Sequence, residues 1–131
     1  PLEKELVSEN DNSDILFLGY LDNETVKREI KNSRAVITAT KMFEGQPRLL
    51  CEASSIGVPS IYPSFGGMDE FFPEEYSFSF EQFNYDDLIL KIENLNNKEI
   101  IKKESIRVHS FISEKLNQTK LINIFNEVSD N

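Results

Sequence analysis

Short apolar runs that recur between helical patterns are the strongest constraint on what this 131-residue chain can fold into. Residues 15–18 (ILFL) precede Gly19, residues 35–40 (AVITAT) are rich in β-branched side chains, and residues 58–62 (VPSIY) lead into the loop Pro63-Ser64-Phe65-Gly66-Gly67. Runs this short and apolar read as strands buried on both faces. Between them lie helical patterns. Residues 23–31 carry Val26 and Ile30 four apart, and residues 47–56 carry Leu49, Leu50, Ala53 and Ile56 at helical spacing. Residues 68–72 read as a short helix stopped by Pro73, and residues 78–80 as a last short strand. From Asn84 onward the pattern is helical in three stripes: Leu88, Ile89, Ile92 and Leu95; Ile100, Ile101, Ile106, Phe111, Ile112 and Leu116; and Leu121, Ile122, Phe125 and Val128. Strands alternating with helices predict an α/β layer fold with a mostly parallel sheet and a helical C-terminus. No repeat, low-complexity run or linker interrupts it, so one domain is the simple reading of residues 1–131. Ligands of such sheets sit at the carboxyl ends of the strands, which places the loops 19–21, 41–46 and 64–67 at a site.

The formal net charge is −9, with a pI near 4.6. An acidic domain repels nucleic-acid backbones, which excludes general DNA or RNA binding. A single cysteine, Cys51, lies in an apolar helical run and reads as a small buried hydrophobe. With no intrachain disulfide to form, the chain suits a reducing, cytoplasmic compartment. No apolar run approaches the roughly 18 residues needed to span a bilayer. Beginning at Pro1 rather than Met, the sequence reads as a piece of a longer chain.

The segment 43–59, FEGQPRLLCEASSIGVP, carries the chemistry. Pro47 reads as the first helical position, where its missing N–H is no loss. Gly57 followed by Pro59 stops the helix. Glu44 then sits in the loop at the helix mouth, and Glu52 about one and a half turns inside. A helix mouth offers free N–H groups and a positive dipole end, which suit a phosphate. Ionised carboxylates only accept hydrogen bonds, which suits hydroxyl groups. A ligand with both is a nucleotide-sugar.

The order of these motifs resembles the C-terminal, donor-binding domain of GT-B-fold retaining glycosyltransferases, of the glycosyltransferase family 4 type. The matching residues are the Phe17-Leu18-Gly19 turn, Thr40 closing a strand, the Glu44-Gly45 and Glu52-Ala53 pairs, the Gly57-Val58-Pro59 turn, and the Gly66-Gly67 loop with Glu70 nearby. The detailed likeness covers residues 14–72. It implies a Rossmann-like half of a GT-B fold, with the acceptor domain and the opening strands of this domain outside the 131 residues. A sheet edge left open in this way would be relieved by dimerisation or strand exchange.

The resemblance implies that Glu52 holds the ribose hydroxyls and that Glu44, the catalytic-site glutamate, contacts hydroxyls of the donor sugar. Backbone N–H groups of Gln46, Arg48 and Leu49, beside Gly45, face the sugar and diphosphate. The turn Gly19-Tyr20-Leu21 lies near the base, and Gly66-Gly67 lines the sugar end. Relatives carry glycine or phenylalanine after Glu-Gly, whereas this chain has Gln46-Pro47, and proline cannot donate a hydrogen bond. The basic Arg and Lys pair of relatives has no counterpart here, and Lys41 and Arg48 are the local positive charges. The 131 residues alone are therefore expected to be catalytically inactive.

For the parent enzyme the resemblance implies transfer of a hexose or N-acetylhexosamine from a UDP-linked donor to a lipid-diphosphate-linked or polysaccharide acceptor. Such enzymes serve bacterial surface polysaccharide synthesis, O-antigen or lipopolysaccharide, at the inner face of the membrane. No metal or other cofactor is expected. Two other readings stand beside it: a nucleotide-sugar epimerase of the same fold, and a nucleotide-sugar-binding module without turnover.

Overall fold

The computed structural model describes residues 2–43, 45–117 and 126–128. Glu44, Leu121, Ile122 and Phe125 lie outside the described residues, so the third helical stripe is placed only at Val128. The helices are α1 (Leu2–Glu9), α2 (Asn23–Asn32), α3 (Arg48–Ile56), α4 (Tyr85–Glu93) and α5 (Lys98–Lys115). The strands are β1 (Val36–Ile37), β2 (Ser60–Ser64) and β3 (Ser79–Glu81), and 3-10 turns span Met68–Phe71 and Asn94–Asn96. Among the described residues the strands form one parallel sheet, β1-β2-β3, flanked by helices in a Rossmann-like α/β arrangement.

Local chemistry explains the helix ends. Asp22, Asn84 and Asn97 accept hydrogen bonds from backbone N–H groups at the starts of α2, α4 and α5. Gly57 ends α3 with φ +82°, a left-handed conformation that returns its N–H to the last carbonyls of the helix.

Two strand expectations change. Residues 15–18 form no strand; all four side chains are exposed, Leu16 at 79%. Apolar content makes burial favourable, but a strand also needs a neighbour for its ladder, and none pairs with it among the described residues. The run 35–40 shrinks to Val36–Ile37, and the register shows why. Val36 lies opposite Ser60 and Ile37 opposite Ile61. The Val36 N–H donates to the Pro59 carbonyl and the Thr38 N–H to the Ile61 carbonyl, each at 3.0 Å. The next donor along the ladder belongs to residue 63, to bond the Thr38 carbonyl. Residue 63 is proline, the ladder stops, and the chain from Thr38 onward leaves the sheet.

On its other edge β2 meets β3 only from Tyr62, opposite Ser79. Ser60, two residues earlier and fully buried, gets its partner from a side chain. The Tyr76 hydroxyl accepts from the Ser60 N–H and donates to the Ser60 carbonyl, both at 2.9 Å. The Tyr76 ring stands in an aromatic stack with Tyr62, Phe72 and Phe78, at centroid separations of 4.3–5.9 Å. These rings join Leu50, Ile61, Met68, Phe80 and Val108 in the main core. The aromatic residues between Phe65 and Tyr85 divide: Phe72, Tyr76, Phe78 and Phe80 are buried, while Phe65, Phe83 and Tyr85 are exposed.

The helical stripes are also redrawn. In α4, Leu88 packs on the core but Ile89 and Ile92 are exposed, and in α5 Ile106 faces solvent. The buried line of α5 is Glu104, Val108 and Ile112, at spacing four, with a carboxylate as its first member. Glu104 is fully buried; it accepts from Ser77 at 2.6 Å and from Arg107 through both oxygens, at 2.9 and 3.0 Å. Arg107 also donates to the Glu74 carbonyl. This group fastens α5 to the chain between the 3-10 turn and β3.

Removing Arg107 leaves the buried carboxylate with only the Ser77 hydroxyl and the Lys103 ammonium 4.0 Å away, whereas removing Glu104 leaves an arginine already 30% exposed and able to turn to water. Arg107→Ala should therefore cost about 3–5 kcal/mol in urea unfolding and Glu104→Ala clearly less. Tyr76→Phe should cost about 1–3 kcal/mol by orphaning the Ser60 backbone groups. Burial pushes the hydroxyls of Tyr62 and Tyr76 up, with Asp69 adding to the effect at Tyr62 and Glu104 at Tyr76. An unfolded tyrosine ionises near about pH 10, so above that pH the unfolded state binds fewer protons and stability falls as pH rises. The fall should be shallower in Tyr76→Phe, by about 1.4 kcal/mol per pH unit.

Candidate functional site

Where the chain leaves β1 and re-enters as α3, a cavity of about 150 Å3 opens. Thr38 and Thr40 line it from the strand end, residues 47–50 from the helix start, and Met68 from the 3-10 turn. Extended chain alternates its faces, which puts Thr38 and Thr40 on the same side. The Thr40 hydroxyl accepts from the Met42 N–H at 3.2 Å and turns the chain outward.

Pro47 is the residue before the helix, not its first helical position, with φ −78° and ψ 83°. Its carbonyl takes the first helical bond, from the Cys51 N–H at 2.9 Å. Its side chain can make no capping bond, so the first N–H groups of the helix, from Arg48 to Leu50, have no helical acceptor. That makes the floor of the cavity a positive helix end beside two hydroxyl-bearing residues, a combination suited to an anion carrying hydroxyls.

The structure brings some of the expected residues together here and leaves others apart. Arg48 and Leu49 lie on the cavity wall. Gly45 and Gln46 are exposed in the loop just before it. Lys41 lines an adjoining crevice with Pro63, Phe80, Gln82 and Phe83, and that crevice shares Thr40 with the cavity. Gly66, at φ +65°, and Gly67 lead directly into Met68 of the wall. Glu52 lies one turn past Arg48, off the wall, where it accepts from the Arg48 Nε at 3.2 Å. Gly19, Tyr20 and Leu21 do not line the cavity; Tyr20 is 99% exposed and Gly19, at φ +66°, has open space around it. Glu44 belongs to the undescribed residues.

Thr38, Leu50 and Met68 were not expected in the wall. The two-residue period of AVITAT carries the signal for Thr38, since it pairs that residue with Thr40. Nothing local marks Leu50 or Met68, which reach the cavity because the core holds them there.

Two reactive side chains have structural roles. Cys51 is buried, and burial pushes its thiol up, away from the reactive thiolate. The His109 Nδ1 lies 3.0 Å from the Ser55 carbonyl and links α5 to α3. Among the described residues no helix is long and apolar enough to cross a membrane.

The family model described as glycosyl transferases group 1 matches residues 1–125. No curated protein matches the chain.

The Arg48–Glu52 pair joins an arginine 80% exposed to a carboxylate 23% exposed. Pairs of this kind contribute little, so Arg48→Ala should change thermal stability by no more than about 0.5 kcal/mol. A larger loss would mean that Arg48 is a structural tie rather than a cavity-wall residue free to meet a ligand.

Proposed function

The chain belongs to the group 1 glycosyl transferases, and we propose that residues 1–131 are the nucleotide-sugar (donor) binding domain of a retaining enzyme of that family. The observation that carries this reading is the cavity at the mouth of α3, where helix-end N–H groups meet Thr38 and Thr40 at the carboxyl end of a parallel strand. Donor diphosphate seated there accepts from the N–H groups of Arg48 and Leu49. Arg48, with most of its guanidinium in solvent, swings onto the diphosphate charge. That releases Glu52 from its ion pair to accept from the ribose hydroxyls. Glu44 accepts from hydroxyls of the sugar and stabilises developing positive charge at the anomeric carbon. The glycines at 66 and 67 let backbone approach the sugar closely.

Retention on this reading needs no protein nucleophile, because the leaving diphosphate takes up the acceptor proton. The donor is a UDP-hexose or UDP-N-acetylhexosamine. The acceptor is a lipid-diphosphate-linked or polysaccharide glycan, bound by a further domain at the cytoplasmic face of the membrane, in surface polysaccharide synthesis. The residues facing the cavity carry no histidine for epimerase chemistry, and His109 is bonded to Ser55.

Calorimetric titration with UDP, UDP-N-acetylhexosamines and GDP-sugars tests the reading. UDP and a UDP-sugar should bind the folded chain. Glu52→Ala should weaken both by about tenfold, the loss expected when hydrogen bonds to a charged group are removed. Glu44→Ala should leave UDP affinity unchanged and reduce discrimination between sugars. A folded chain that binds none of these ligands would sink the proposal.

A further inference from the structure

We propose that Asp69 is a positioning residue that holds the Gly66-Gly67 loop in place where it runs into the Met68 wall of the cavity, an inference that rests on the donor-site reading above. β2 ends at Ser64, Gly66 turns the chain at φ +65°, and the 3-10 turn starts at Met68. The Asp69 carboxylate closes this excursion onto the strand it came from. Its Oδ1 accepts from the Tyr62 hydroxyl at 3.0 Å, and its Oδ2 accepts from the Ser64 hydroxyl at 2.6 Å. Tyr62 and Ser64 are two apart on β2, so both side chains leave the same face of the strand and meet one carboxylate.

The two anchors differ in kind. Tyr62 is 1% exposed and its ring lies 4.3 Å from that of Phe72, so its hydroxyl is a fixed point of the core. Burial keeps that hydroxyl protonated, hence a donor, across any working pH. Ser64 and Asp69 are exposed, so this clamp is not part of the core it grips. Across the turn the Glu70 N–H reaches the Gly67 carbonyl at 3.3 Å and the Phe72 N–H reaches the Asp69 carbonyl at 3.2 Å, both long bonds. Two adjacent glycines have the greatest freedom to lose on ordering. Two charge-assisted bonds, one to buried Tyr62 and one to Ser64, therefore restrain that freedom. What they restrain is the approach to the wall, because the loop runs directly into Met68, which the core buries and which lines the cavity with Thr38 and Leu50. Asp69 is not among the lining residues and acts through its neighbours.

The test uses the 131-residue chain, with UDP and a UDP-N-acetylhexosamine as calorimetric probes. Asp69→Ala should lose about tenfold in affinity for the UDP-sugar and keep its affinity for UDP, because only the sugar end is loosened. Asp69→Asn keeps an acceptor for Tyr62 and an amide for Ser64, and should stay within about threefold of the wild type. Ser64→Ala removes one anchor at an exposed position and should fall between them; it decides the matter if Asp69→Ala does not fold. Unchanged UDP-sugar affinity in a folded Asp69→Ala or in Ser64→Ala, equal losses for UDP and UDP-sugar, or an Asp69→Asn no better than Asp69→Ala would each overturn the inference. A wild-type chain that binds neither probe overturns the donor-site reading and this inference with it. Wild-type binding alongside an indifferent Asp69→Ala overturns this inference alone.

Discussion

The hydrogen bonding of one central strand, β2, governs this structure. Its backbone must be satisfied on both edges, and at two positions the sequence forces an exception. At Pro63 there is no N–H to continue the ladder to β1, so the chain beyond Thr38 departs. At Ser60 there is no β3 residue opposite, so Tyr76 supplies a hydroxyl in its place. The first exception opens the sheet where the cavity lies, and the second closes it where the core needs a seal. A buried N–H or carbonyl left unpaired costs on the order of 1–3 kcal/mol, large against the stability of a small domain.

From that strand the rest of the architecture can be traced. Tyr62, in the middle of β2, stacks within the aromatic core and also anchors Asp69. Tyr76 caps the strand and packs in the same stack. Buried Glu104, held by Ser77 and Arg107, ties α5 to the chain just past Tyr76. A cavity with mobile walls would spend binding free energy on ordering itself; here the floor is a helix end and one wall is a fully buried methionine. Rigid surroundings of this kind are what a binding site for a flexible ligand requires.

Much of this was legible in the chain. The alternation of strand and helix patterns points to a parallel α/β sheet because parallel neighbours need a long crossover connection, most often a helix. Gly57 marks the end of α3, because a glycine placed there can adopt the left-handed conformation at little cost. The segment around Arg48 and Leu49 marks a helix mouth, and the cavity is there. Other features were not legible. Ile106 and Ile89 look like core residues and face solvent, while Glu104 looks like surface and is buried, because helix phase is set by what each helix packs against. The run 15–18 has the composition of a strand without a partner to pair with.

By itself the sequence determined what is local: element types, helix ends, the parallel α/β class, and the residue types able to meet an anion and hydroxyls. Those properties depend on neighbours a few positions away, through φ/ψ preferences, capping and periodicity. Only the tertiary structure decided which of them converge. Pro63 ends the β1 ladder only because the register puts its missing N–H where the Thr38 carbonyl needs a donor. Met68 becomes a cavity wall only because the core buries it. Asp69 becomes a clamp only because the chain folds back on Tyr62 and Ser64. Register and fold-back are long-range choices, made by summed burial and hydrogen bonding over the whole domain, and no short window of sequence contains them.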